Sequence, residues 1–145
     1  MIRAIQSHEL KLLTPGAIEF WAEGKIPGEF IPAVFERRWT EIMRIGVGRI
    51  FASFEDGFFV GAIGIILARD INDDALVAEE AFWFVRPTHR RVGIKLFKHA
   101  ENYARASNCK RMAMVHLECL KSEKLGLFYE KNGYHLIEHK YQKIF

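Results

Sequence analysis

From Phe82 to Tyr103 the chain reads FWFVRPTHRRVGIKLFKHAENY, and this stretch restricts the fold more than any other. An apolar, aromatic strand pattern runs into Val85-Arg86-Pro87. A short basic loop containing Gly93 comes next, and then an amphipathic helix begins, with Leu96, Phe97, Ala100, Tyr103 and Ala104 at helical spacing. A strand that ends in a basic, glycine-containing turn at the head of a helix is an anion site. The first N–H groups of the helix lack intrahelical partners, and the macrodipole places positive potential there. The guest this predicts is a pyrophosphate, and hence a nucleotide-type cofactor.

The remaining chain reads as one domain, residues 1–145, of mixed α+β type. A length of 145 residues with half of them hydrophobic supports a sizeable core and argues against disorder. A strand at Ile2–Ile5 comes first, with Ser7 as an N-cap for the helical turn after it. Thr14 and Pro15 then open a helix that Gly24 ends. Pro32 starts a second helix, whose stripe Phe35, Trp39, Ile42, Met43 and Gly46 predicts a buried face. A meander comes next: Arg49–Phe54, a turn at Glu55-Asp56-Gly57, Phe58–Ala68, a turn at Asn72-Asp73-Asp74, and Leu76–Val85. After the basic turn and its helix come a strand at Arg111–His116, a helix at Ser122–Lys131, and a final strand pair at Tyr134–Ile137 and Tyr141–Ile144. The order β-α-α-β-β-β-α-β-α-β-β predicts six to seven strands in a mixed, mostly antiparallel sheet with about four helices.

That order, with the basic turn after the fourth strand, resembles the GNAT acetyltransferase superfamily along essentially the whole chain, and small bacterial and bacteriophage members above all. Val85-Arg86-Pro87 fits the family's V-x-P-like strand end. The loop fits (Gln/Arg)-x-x-Gly-x-(Gly/Ala) in either of two registers. Arg90 begins the motif with Lys95 at the last position, or Gly93 is the second glycine with Thr88 and Arg91 at the other two. Both registers put N–H groups of roughly Arg91 to Leu96 around a pyrophosphate. Ser122–Tyr134, SEKLGLFYEKNGY, is similar to the family's N-x-x-A-x-x-L-Y-E-K-x-G-(F/Y) segment.

The resemblance implies acetyl-CoA as cosubstrate, an amine acceptor, and direct attack in a ternary complex. It implies cofactor contacts from Trp83, Phe84 and Val85, from Arg90, Arg91, Val92, Gly93, Ile94 and Lys95, and from Ser122 and Tyr129. Backbone N–H groups near Trp83 to Val85 would bind the thioester oxygen, and Tyr129 stands where the family's general acid sits. Transfer to an amine also needs the amine neutral. With a pKa of ~10.4, only about one lysine-like amine in 10³ is neutral at pH 7, a handicap of roughly 4–5 kcal/mol. A carboxylate can remove the proton directly or through water. Glu79 and Glu80 lie on the fourth strand, and strand alternation sends them to opposite faces unless a bulge intervenes. The resemblance prefers Glu79 as base, with Glu80 the close alternative.

The same residues admit other readings. The family resemblance also allows a catalytically silent binding or assembly module that retains CoA, and the irregular loop favours it. The cluster Arg86, Arg90, Arg91, Lys95 and Lys98 is too local, on a net charge of +3, to make nucleic acid the expected partner. His135 and His139 share one strand face but lie far apart, so no metal is expected. Two cysteines without a CxxC, no signal-peptide pattern and no apolar run of membrane-spanning length predict a reduced, cytoplasmic protein. Trp21, Phe30 and Trp39 are candidates to line an acceptor pocket. Glu23, Glu29 and Glu36 nearby suggest a cationic acceptor, such as a polyamine, an aminoglycoside or a protein lysine or N-terminus. The apolar tail Tyr141–Phe145 is compatible with a homodimer.

Overall fold

The computed structural model describes residues 1–117 and 123–145. The chain divides into two compact units, Met1–Val115 and His116–Phe145. The first holds a five-stranded sheet in sequential order: β1 (Ile2–Ala4), β2 (Gly48–Glu55), β3 (Phe58–Arg69), β4 (Leu76–Val85) and β5 (Arg111–Ala113). All neighbours pair antiparallel except β4 and β5, which are parallel. Helices α1 (Thr14–Gly24) and α2 (Pro32–Arg44) precede β2, and α3 (Arg91–Ala106) crosses from β4 to β5. Such a crossover is what a parallel pair demands.

Strand alternation divides the core in two. Ile50, Ala52, Ala62 and Phe84 face Trp39 of α2 and the aromatics of α1. Phe51, Ile63, Ile65 and Ala78 face Leu96, Ala100 and Ala104 of α3. Helices α2 and α3 each cover a sheet face with the stripe their periodicity predicts. The β2–β3 turn puts Asp56 and Gly57 at φ 49° and 82°, the positive pair that lets a two-residue hairpin follow the strand twist.

At four places the structure departs from the sequence reading. The first helical turn after β1 is capped by Gln6, whose N–H donates to Glu9 Oε2 at 2.8 Å, rather than by Ser7. Thr14 does not cap α1; its hydroxyl donates to Glu36 Oε1 at 2.9 Å and ties α1 to α2. Gly93 lies inside the first turn of α3 instead of before it. The sheet has five strands among the described residues, not six to seven, because Tyr134–Ile137 and Tyr141–Ile144 form none and β5 stops at Ala113. Tyr and Ile favour strands by packing on a pleated, half-buried surface. Leu136, Ile137, Tyr141 and Ile144 are exposed instead.

The second unit contains α4 (Glu123–Lys131). Asn132-Gly133 stops it as expected: Gly133 takes φ 83°, and the Tyr134 N–H returns to the Tyr129 carbonyl at 3.0 Å.

Candidate active site

The site is built around β4, whose two edges behave differently. Against β3 it pairs along its whole length, with one shift of register: Ile65 stands opposite Glu80 and Gly64 opposite Phe82, leaving Ala81 as an extra residue. This is a β-bulge, and it re-aims the strand beyond it. Against β5, pairing covers only Val77, Ala78 and Glu79, and β4 runs on from Glu80 to Val85 without it. The two parallel strands part at the bulge.

Glu80 sits where they part. It shares the α3 face with its partner Ile65, and its Oε2 accepts the Val115 N–H at 3.1 Å. Glu79 pairs with Ile66, which faces α1 and α2, and Glu79 is exposed. The two carboxylates therefore stay on opposite faces, because the bulge comes one residue too late to bring them together.

Beyond the bulge the aromatic run splits between the faces. Trp83 stacks on Phe97 of α3 at 5.9 Å, and half-buried Val85 packs on the same side. Phe84 is buried on the other face against Phe20 and Phe59. Its side chain is core, so only its backbone is left for a ligand.

The basic turn also divides. Arg86 pairs with Glu19 of α1 at 3.4 Å, and His89 Nε2 lies 2.8 Å from Glu55 Oε2. These two side chains brace the turn against α1 and the β2–β3 hairpin. Arg90, Arg91, Lys95 and Lys98 are exposed and make no ion pair among the described residues. Arg90 is the N-cap of α3. The Gly93 N–H already donates to the Arg90 carbonyl at 3.0 Å, so the open donors at the helix head come before it, at Arg91 and Val92. Val92 packs into the α3 core, and Ile94 is exposed. Gly93 is buried, and a Cβ there would meet Trp83 and Val85 at 3.4 Å. That is ordinary contact, so the helix head packs on β4 with room for a methyl group.

A cavity of about 160 Å³ lies on the α1/α2 face, where the sequence offered Trp21, Phe30 and Trp39 as pocket-lining candidates. Phe20 and Trp21 of α1, Phe30 of the connecting loop, Phe35 and Trp39 of α2, and Ala81, Phe82 and Phe84 of β4 are among its lining residues. Trp21, Phe30 and Trp39 were legible as aromatic candidates. Phe82 was not, because only the bulge brings it to this wall. Trp21 Nε1 donates to the Gly28 carbonyl at 3.1 Å, which folds the loop back and sets Phe30 against Trp21 and Phe35.

In the second unit Tyr129 is buried on α4, with its ring 5.8 Å from that of Tyr134. Ser122 lies outside the described residues. Among the described residues, no three His, Cys, Asp or Glu side chains gather as metal ligands would, and no helix is long and apolar enough to cross a membrane.

The model of the acetyltransferase (GNAT) family matches residues 17–134. The chain belongs to that family. No curated protein matches it in sequence. Among solved structures, glucosamine-6-phosphate N-acetyltransferase from Arabidopsis thaliana is 18% identical with a TM-score of 0.74, covering 100% of this chain and 97% of that one. A predicted acetyltransferase from Clostridium acetobutylicum, solved with acetyl-CoA, is 13% identical with a TM-score of 0.79, over 99% and 95% of the two chains. AAC(6')-Iy, in complex with the bisubstrate analogue CoA-S-monomethyl-acetylneamine, is 20% identical with a TM-score of 0.77, over 99% and 97%. At these identities the likeness is one of fold. It bears out the mixed α+β GNAT architecture expected from the sequence.

Proposed function

We propose that this GNAT-family chain is an acetyl-CoA-dependent N-acetyltransferase acting by direct attack of an amine in a ternary complex. The observation that carries the reading is the parting of β4 from β5 beside the cation-bearing head of α3. A strand edge released from its neighbour suits the amide-bearing arm of CoA, which takes main-chain hydrogen bonds as another strand would. Arg91 and Val92 N–H groups, with the Arg90, Arg91 and Lys95 side chains, suit its pyrophosphate.

In this reading the acceptor approaches β4 on the α1/α2 face. Glu79 takes a proton from the ammonium, directly or through water. The amine nitrogen then bonds to the acetyl carbon, and the carbon–sulfur bond breaks. Backbone N–H groups of the Trp83–Val85 segment hold the carbonyl oxygen as its charge grows. Tyr129 protonates the departing thiolate, Ser122 contacts the pantetheine arm, and the new amide sheds its second proton to water. Glu80 is assigned a different part from Glu79: bonded to the Val115 N–H, it fixes the point where β4 and β5 separate. The acceptor is a small molecule or a protein amine. A second copy of the chain is the partner proposed for the exposed apolar tail.

Titration of the purified protein with acetyl-CoA and CoA, by calorimetry and thermal shift, tests this. Micromolar binding is expected. At a hundredfold excess over Kd it would add about 2.7 kcal/mol of stability and raise Tm by several degrees. Absence of binding at millimolar cofactor would overturn the enzyme reading in favour of a silent binding module.

A further inference from the structure

The cavity on the α1/α2 face carries information about the acceptor that the fold does not. Its walls are apolar throughout, and eight of its eleven lining residues are aromatic. Of the two indole N–H groups in its lining, that of Trp21 is bonded to the Gly28 carbonyl. No carboxylate, amide or hydroxyl side chain lines it among the described residues. A polycation gains nothing in such a place, since every ammonium that entered would lose its water without a partner. An apolar group gains its whole transfer free energy. A volume of about 160 Å³ is that of a hydrocarbon ring, since dry cavities of roughly 150 Å³ take up benzene.

The position of the cavity is as telling as its lining. Ala81, the bulge residue, forms part of the wall and is exposed, so the cavity opens at the bulge. Glu79 lies two residues away on the same face, roughly 7 Å along the strand. Phe82 continues the wall on the other side and is held edge-on by Trp39 at 5.5 Å. An occupant with its ring inside and an amine a few bonds away would leave that amine at the bulge, beside the only carboxylate β4 shows to this face.

We propose that the acceptor is a primary amine bearing a single aromatic or similarly compact apolar group, seated in this cavity with its amine at Ala81 and Glu79. The proposal rests on the acetyltransferase reading for the transfer step but not for the binding step. It replaces the polyamine, aminoglycoside or lysine acceptor suggested by Glu23, Glu29 and Glu36. None of these three lines the cavity, and Glu36 is engaged by Thr14.

The test uses the full chain with 2-phenylethylamine and spermidine as probes. Binding of each is read first without acetyl-CoA, by intrinsic tryptophan fluorescence, two of the three tryptophans lining the cavity, and then kcat/KM of acetylation is read with acetyl-CoA. We expect 2-phenylethylamine to quench saturably and spermidine not to, and kcat/KM to favour 2-phenylethylamine by about 10- to 200-fold, the range one buried apolar group commands. Ala17→Leu, which extends a wall residue into the cavity, should weaken 2-phenylethylamine about tenfold or more while leaving acetyl-CoA binding intact. Phe30→Ala, in the loop between α1 and α2, should shift preference from 2-phenylethylamine toward the larger tryptamine. Equal or better turnover of spermidine would overturn the proposal and leave the acetyltransferase reading standing. Quenching by 2-phenylethylamine that Ala17→Leu abolishes, with no acetyl-CoA binding, would uphold the cavity as an apolar-amine site and sink the transferase. Absence of quenching and of turnover would overturn the cavity proposal outright.

Discussion

One added methyl group tests the aromatic packing at Gly64. A Cβ there would run into the Phe82 ring and come within 2.8 Å of Trp39 Cζ2. Both rings wall the cavity, and neither can withdraw without disturbing the other. Gly64→Ala is therefore expected to cost about 1–3 kcal/mol, seen as a lower urea midpoint at unchanged m-value. Gly93→Ala is the contrast. Its Cβ would rest at ordinary contact distance from Trp83 and Val85, and alanine favours the helix by roughly 0.5–1 kcal/mol, so stability should hold or rise in the same assay. At Tyr129, removal of the hydroxyl in Tyr129→Phe should slow acetyl transfer by ~10²-fold or more with acetyl-CoA affinity retained, as expected for a lost general acid. Unchanged turnover would remove it from the mechanism.

At the scale of elements, the β4–β5 pair is the weak joint, since it rests on only three register pairs. The turn before β4 reinforces it. Arg111 of β5 donates to both Asp73 oxygens, at 2.7 and 3.0 Å, and pairs with Asp70 at 2.9 Å. The Arg111 guanidinium and the Ala75 N–H hold the Asp73 carboxyl down to about 2. Asp70 is lowered too, chiefly by the Asn72 N–H. A carboxylate whose folded pKa lies below its unfolded value of ~3.9 stabilises the fold above that value. The contribution fades as pH falls through the interval down to the folded pKa. Urea midpoints should thus drop between about pH 4 and pH 2 in the wild type, and drop less in Arg111→Ala. Parallel curves would show that the cluster does not couple to folding. Glu9, held at about 2 mainly by Arg3 and then by the Gln6 N–H, adds the same slope in both proteins and so cancels in the comparison.

For the molecule as a whole, β3 is the strand on which both helical layers depend. Ile63 is fully buried, with Phe51 and Trp83 as its register partners on the α3 face. Ile63→Ala should cost about 2–5 kcal/mol, a large part of the roughly 5–15 kcal/mol that holds a typical domain together. Near-UV and far-UV circular dichroism should lose their signals together in urea, because the sheet carries the aromatic core. An early loss of near-UV signal alone would mean that the α1/α2 layer melts separately.

The periodicity of the chain determined every element that survives on its own stripe: the α2 face around Trp39, the α3 face from Leu96 to Ala104, the meander and its turns. The basic turn and the SEKLGLFYEKNGY segment were enough to place the family. These signals are local, and burial of one face enforces them wherever the element packs. Tertiary structure decided what depends on register between distant segments. The strand patterns at Tyr134–Ile137 and Tyr141–Ile144 form no strand, since a strand is completed by its neighbour. The bulge at Ala81 has no mark of its own in AEEAFWF, because it is a mismatch between β4 and β3, not a property of either. That mismatch comes just after Glu79 and Glu80, which plain alternation keeps on opposite faces, and it turns Phe82 toward Trp39. It also opens the apolar cavity that only the assembled sheet and helices enclose.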